Sequence, residues 1–202
     1  MEAMAVKKKE ARRDQILDAA VAVFGEVGYH AANVADIIAK AGVARGTFYQ
    51  HFENKRVVFD ELLDDLLERV RDAIVDVDMA HPEKTVYVQL QENVERVLGI
   101  LFQERALARI LLAEASGVDA DLDLKLAGFY DGLLKLISET LQLGQMAGMV
   151  RACDTVLVAT CILGSVKELV YQHTLRNRPP ADVAAVAREI MAYNLQGLFT
   201  RR

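Results

Sequence analysis

Residues 33–55 read NVADIIAKAGVARGTFYQHFENK. Two short helices are legible in this stretch, one on each side of a glycine turn. Asn33 is a helix-capping residue, and Asp36 places a carboxylate in the first turn, near the positive helix end. Ile37, Ile38 and Ala41 give this helix an apolar side, and Gly42 stops it. A second helix is expected from about Arg45 to His51. At about 100° per residue, Phe48 and Phe52 share one side and pack inward, leaving Gly46, Thr47 and Gln50 outward with Tyr49 at their flank. Helix, turn, helix is a unit that DNA-binding proteins use.

The outward residues suit a duplex. Gln50 offers a donor and an acceptor to an adenine edge in the major groove, and Thr47 can meet a thymine methyl. Thr47, Tyr49 and His51 carry groups that bond phosphate oxygens, and Arg45 and Lys55 bracket the helix with cations. The start of the first helix, capped by Asn33, presents backbone N–H groups to a further phosphate. Gly46 has two readings. An exposed helical glycine costs about 1 kcal/mol relative to alanine, so it is either a tolerated defect near a helix end or a place where something approaches the backbone closely.

These residues resemble the TetR family of bacterial transcription regulators. The likeness begins in the lead-in Phe24-Gly-Glu-Val-Gly-Tyr29 and runs to Lys55-Arg-Val-Val-Phe59. It implies an all-α fold with a DNA-binding head at 1–56 and a ligand-binding, dimerising body at 57–202. It also implies DNA contacts at the positions of Thr47, Tyr49, Gln50, His51 and Lys55. The chain departs from the family pattern at Ala32 and Ala44, where hydroxyl residues are common and the usual cap of the recognition helix is lost. Ala35 stands where relatives often place an arginine, and Ile38 where a small alanine is usual.

Outward from this stretch, helical periodicity continues along the 202 residues, and about nine helices are expected. Ile16, Ala20, Phe24 and Val27 form the stripe of a first helix ending at Gly28. Phe59, Leu62, Leu66, Val70 and Ala73 mark the fourth, which fades into Met79-Ala80-His81-Pro82. Leu90 to Leu101, Leu107 to Leu111, and a long run opened by Asp119 and Asp121 follow. Asp154 caps a helix from Thr155 to about Arg176, and Asp182 opens the last one after Pro179-Pro180. No strand is expected.

Composition narrows the function. The apolar fraction is 52% with three prolines and no tryptophan, which excludes a disordered chain. The net charge is −5, but residues 1–56 carry nine Lys/Arg against seven Asp/Glu, while the remainder is net −7. A basic head fits an anionic partner, and a solvated basic tail at Lys7–Arg13 fits the count equally. The longest uncharged runs, Thr155–Val166 and Thr140–Val150, are 12 and 11 residues, short of the roughly 20 that span a bilayer. No membrane partner and no secretory signal are expected. Cys153 and Cys161 read as buried thiols of a reducing, cytoplasmic compartment.

No catalytic set, cofactor motif or metal spacing stands out, and Asp119-Ala-Asp-Leu-Asp123 lacks the glycine and terminal Glu of an EF-hand. The chain is therefore expected not to be an enzyme. Apolar stripes in the last two helices, with Val156, Ala159, Leu163, Gly164 and Val170 on one and Ala184, Ala187, Met191, Leu195 and Leu198 on the other, fit either a monomer core or a dimer. By resemblance these helices make the four-helix bundle of a homodimer. An apolar effector is expected among Leu98, Phe102, Phe129, Tyr130, Leu133, Met146, Met149 and Tyr171, residues that a plain core would also use. The reading is a repressor that binds a palindromic operator and is released when its effector tilts the helix starting at Lys55. The alternative is a helical ligand-binding or scaffolding protein without sequence-specific DNA binding.

Overall fold

Capping and glycine punctuation set the helix ends. The computed structural model describes residues 2–80, 83–113, 120–176, 180 and 182–195. Within them lie nine helices and no strand: α1 (Glu2–Val27), α2 (Val34–Ala41), α3 (Arg45–His51), α4 (Lys55–Asp72), α5 (Val86–Gln103), α6 (Arg105–Ala113), α7 (Ala120–Met146), α8 (Thr155–Leu175) and α9 (Val183–Leu195). The Asn33 side chain accepts from the Asp36 N–H and the Asp36 carboxylate accepts from the Asn33 N–H, a reciprocal capping box at α2. Gly42 ends that helix in the left-handed region at φ 63. Ala44 gives α3 no side-chain cap, as its lack of a hydroxyl predicts. Asn54, Thr85 and Asp154 cap α4, α5 and α8. The expected breaks at His81, Pro82 and Pro179, and the expected helix start at Asp119, lie outside the described residues.

One apolar core runs from the head into the body. Ile16, Phe24, Tyr29, Ile37, Phe48, Phe52, Val58, Phe59 and Leu66 are buried together with Leu107, Leu111, Leu122, Leu126 and Phe129. Phe59 packs edge-on to Phe24, with ring centres 6.0 Å apart, and sits 4.5 Å from the Tyr29 ring. The core is thus continuous across residues 56 and 57, and the first turn of α4 closes the head from below. Val27, on the expected α1 stripe, is 54% exposed; it is the last residue of its helix, and the stripe loses its cover there.

Two further clusters fill the body. Leu98, Phe102, Ala108, Val170 and Ala187 join α5, α6, α8 and α9. Leu141, Ala159, Ile190, Met191 and Leu195 join α7, α8 and α9. The α7–α8 hairpin is pinned by the buried Ser138 hydroxyl, which donates to Thr155 Oγ1 at 2.9 Å. Between α4 and α5, residues 74–78 form no helix and are strapped to α5. Asn93 exchanges two hydrogen bonds with the Val75 backbone, and Gln89 does the same with Asp78.

Head and body also meet through polar contacts. Arg109 on α6 donates to the Gly25 carbonyl on α1 at 2.8 Å. Beside it, a Cβ added to Gly25 would lie 2.9 Å from Ala106 Cβ. Lys125 on α7 reaches Asp60 at 2.5 Å and Asp64 at 2.8 Å on α4, and Arg56 reaches Asp60 at 3.1 Å. Desolvation pushes the Asp60 carboxyl up, but bonds from Lys125 and Arg56 outweigh it and hold the carboxyl below its ordinary range.

Two stability predictions follow from this junction. Gly25→Ala is expected to force α1 off α6 and cost about 1–3 kcal/mol in urea unfolding, the usual range for overpacking; a neutral result would show that the close approach is unimportant. A depressed carboxyl pKa stabilises above the unfolded value of about 3.9 and ceases to do so as pH falls through the folded value. Lys125→Met is therefore expected to cost about 1 kcal/mol or less at neutral pH, as partly exposed pairs do. That difference should shrink below about pH 4. A difference independent of pH would contradict the pairing.

Candidate nucleic-acid interface and effector cavity

Helix α3 stands on the head with its apolar side sealed. Phe48 and Phe52 are 0% and 1% exposed, while Tyr49 is 47% exposed. Arg45, Gly46 and Gln50 are exposed, and Thr47 and His51 are half-buried. The Arg45 guanidinium lies 5.7 Å from the centre of the Tyr49 ring, one turn further along α3. A Cβ built on Gly46 would meet nothing within 4 Å. No packing inside the protein asks for glycine there, so the alanine that helix propensity favours would fit. Asn33 is exposed, with its side-chain oxygen engaged in the α2 cap.

Lys55 departs from expectation. Its ammonium donates to the carbonyls of Tyr29, His30 and Ala32 at 2.9, 3.1 and 2.7 Å. It also lies 4.8 Å from the centre of the Tyr29 ring. An ammonium has three N–H donors, and all three are taken by the loop between α1 and α2. Lys55 pins that loop to α4, and its expected role as a phosphate donor is replaced by one inside the fold. Its three carbonyl partners lie 23 to 26 residues away, beyond the reach of a local sequence reading.

In the body, a cavity of about 450 Å³ lies between the C-terminal end of α4, the strap and α5, α7, α8 and α9. Its walls include Val70, Ile74, Val77, Leu90, Val94, Leu133, Ile137, Leu163 and Val166. Asp76 and Glu139 are its carboxylates, and none of its described lining residues is Lys or Arg. Of the expected pocket residues only Leu133 lines it. Leu98, Phe102 and Phe129 are at most 8% exposed within the core. Met146 is 83% exposed at the end of α7, and Met149 lies in the turn that follows. Tyr171 borders a separate cleft of about 400 Å³ with Leu112, Gly164, Lys167 and Glu168. Tyr130 is half-buried, and burial raises the pKa of its hydroxyl. The strap's run Ile74-Val75-Asp76-Val77, apolar but past the helix end, was the sequence signal for the missing wall.

The expected interface residues divide in two. Ala159, Val170, Ala187, Met191 and Leu195 are at most 7% exposed within the chain's own core and cannot face a partner. Leu163 lines the cavity and Ala184 is half-buried, while Leu198 lies outside the described residues. Val156 and Leu157 are both 61% exposed, and Tyr193 on α9 is 77% exposed; Gly164 and Cys161 are exposed beside them on α8. Cys161 is thus not the buried thiol expected, whereas Cys153 is half-buried.

Helix α8 is longer and more apolar than the count of uncharged runs implies. By length and composition alone its 21 residues could cross a bilayer: an 18-residue window within them has a mean hydropathy of 1.2, and 17% of that window is buried inside the chain. Counting uncharged runs missed it because Lys167 and Glu168 interrupt the run. Each of those charges near a bilayer centre would cost about 2.5–3.5 kcal/mol. Among the described residues no three His, Cys, Asp or Glu side chains converge as metal ligands.

Comparison with known proteins agrees with this anatomy. The family model of bacterial regulatory proteins of the tetR family matches residues 16–62, and that of the C-terminal region of YsiA-like proteins matches residues 59–197. The fatty acid metabolism regulator protein of Bacillus subtilis is 27% identical over 201 residues, covering 97% of this chain and all of that one. The fatty acid degradation regulator FadR from Bacillus halodurans is 30% identical with a TM-score of 0.73, over 94% of this chain and 97% of that one. The regulator FadR from Bacillus subtilis, solved in complex with stearoyl-CoA, is 26% identical with a TM-score of 0.70, over 91% and 97% of the two chains. These relatives are transcriptional regulators rather than enzymes. With a helix-turn-helix head whose α3 faces outward and a helical body matched almost to its end, the chain belongs to the tetR family of bacterial transcription regulators.

Proposed function

We propose that this regulator is a repressor that grips a palindromic operator as a homodimer and lets go when a long-chain acyl effector fills the cavity. The observation that carries the DNA reading is α3 itself. Its phenylalanines are sealed inward while Arg45, Gly46, Tyr49 and Gln50 face out, with open space over Gly46. Gln50 reads a base edge, Thr47, Tyr49 and His51 hold phosphates, and Arg45 supplies the nearby cation. Asn33 contributes through the α2 start that it caps. This outward set favours a DNA-binding regulator over a scaffolding protein without an operator.

The dimer reading rests on α8. Val156, Leu157, Cys161 and Gly164 are exposed on α8 and leave an apolar face open there. A second copy covers that face and places two α3 helices on successive major grooves, about 34–36 Å apart. The effector reading rests on the cavity's leucine and valine walls, together with the stearoyl-CoA held by a relative of the same fold. The cavity touches Val70 and the strap, both continuous with α4, and α4 carries the head. An effector must favour the non-binding arrangement by about 3–5 kcal/mol to empty an operator. The regulator acts in the bacterial cytoplasm, where the operator lies.

Operator fragments selected from genomic DNA with the purified protein provide the assay. Gly46→Ala is expected to raise thermal stability, since alanine is favoured by about 1 kcal/mol in a helix, while weakening operator binding about tenfold or more. Gln50→Ala is expected to relax preference at one operator position, by about 1–3 kcal/mol. Unchanged affinity in both variants would overturn the assignment of α3. Leu163→Trp fills the cavity and is expected to abolish release by stearoyl-CoA with operator binding retained; full release would place the effector elsewhere.

A further inference from the structure

Helix α3 has few fastenings of its own. It is seven residues long, and Ala44 leaves its start without a side-chain cap. The buried rings of Phe48 and Phe52 hold it down, but apolar burial is not directional and fixes depth better than tilt.

A fastening with direction comes from the basic run at the start of α1. Arg13 lays its guanidinium over the Phe52 ring, 5.5 Å from the ring centre, within the range of a cation–π contact. The two terminal nitrogens of the same group meet the two carboxylate oxygens of Glu61 on α4. A forked pair of this kind fixes orientation as well as distance. One side chain of α1 thus touches the end of α3 and the second turn of α4 together.

Its neighbour does a parallel job at α2. Arg12 donates to Gln15 Oε1 at 2.6 Å, and the Gln15 amide donates to the Ala41 carbonyl at 2.7 Å. Ala41 is the last residue of α2, so its carbonyl is one of the four that a helix end leaves without an internal partner. Arg12 and Arg13 therefore brace the two helices of the helix-turn-helix unit in turn, and the solvated-tail reading of Lys7–Arg13 does not extend to them. Phe52 follows Gln50 by two residues and His51 by one, which puts the braced ring beside the groups that face the duplex.

We propose that Arg13 is a positioning residue of operator recognition: clamped by Glu61, it sets the tilt at which α3 presents Gln50 to a base edge, without touching DNA itself. Its premise is the reading of α3 as the base-contacting helix, to which it adds what holds that helix in register. Partly exposed ion pairs are worth little to stability, and these side chains are 47% and 25% exposed. Hydrogen bonds, by contrast, weaken steeply once misaligned. The pair's effect is therefore expected in base discrimination more than in folding.

The test measures the affinity of full-length wild type, Arg13→Met, Glu61→Gln and the double variant for a selected operator and for random duplex, over a salt series. Arg13→Met keeps an apolar stem over Phe52 without the charge. Each single variant is expected to bind the operator about tenfold more weakly, with random duplex changed by less than about threefold. The double variant should lose no more than either single, because both act through one contact. Glu61→Gln carries the sharper prediction. Removing an acidic charge from a DNA-binding head strengthens attraction to phosphates, whereas loosening the brace weakens operator binding, so the two effects have opposite signs. Tighter operator binding by Glu61→Gln would overturn the proposal, as would additive losses in the double variant. Equal weakening of operator and random duplex by Arg13→Met, with a salt slope lower by about one, would make Arg13 a phosphate contact instead. Unchanged operator affinity in both single variants, whatever happens to thermal stability, would leave the pair structural only and overturn it too. If wild type prefers no operator over random duplex, the base-reading role of α3 itself falls, and Arg13 has no register to hold.

Discussion

The aromatic contact between Phe59 on α4 and the Phe24–Tyr29 pair at the end of α1 is the constraint from which the rest of the structure follows. The three helices of the head do not bury Phe24, Phe48 and Phe52 unaided. The first turns of α4 supply the missing cover, and α6 and the start of α7 extend the same core. The recognition helix is therefore not a tethered bead; it is held to the body by close packing. Interiors packed at crystal-like density transmit displacement rather than absorb it. A body that shifts α4 moves α3 with it.

Polar contacts sharpen that coupling. Lys55 ties the α1–α2 loop to the start of α4, Arg109 ties α6 to the Gly25 carbonyl, and Lys125 ties α7 to Asp60 and Asp64. At its other end α4 passes into the strap that walls the apolar cavity. The strap is clipped to α5 by the Asn93 and Gln89 side chains rather than by a helix or sheet ladder. A ligand entering the cavity thus meets a wall that is covalently continuous with the helix beneath the head. On the proposed function, linkage requires operator and effector to oppose each other by one and the same coupling energy.

The fold was legible because its signals are local. Asn33 with Asp36, Gly42, Asp154 and the Phe48–Phe52 spacing each act within one or two helical turns, and periodicity placed all nine helices. The sites were only partly legible, for reasons that differ by residue. Tyr49 and Gln50 were readable because an outward position follows from the inward one opposite. Lys55 was not, since its partners are distant carbonyls. Ala159 and Val156 were read alike, because α8 is apolar on most of its circumference and periodicity does not say which stripe meets its own chain. Leu98 and Phe102 have the composition of a pocket wall, but a cavity is a gap between side chains, not a property of any one of them. The apolar strap belonged to neither expectation and emerges only from its packing against α5.

Hydroxyl-radical footprinting of a selected operator, with and without stearoyl-CoA, tests the central claim most directly. The account predicts protection in two dyad-related patches about one helical turn or a small multiple of turns apart, both lost together when the effector is added. A single unpaired patch, or paired protection that persists with the effector bound, would contradict it.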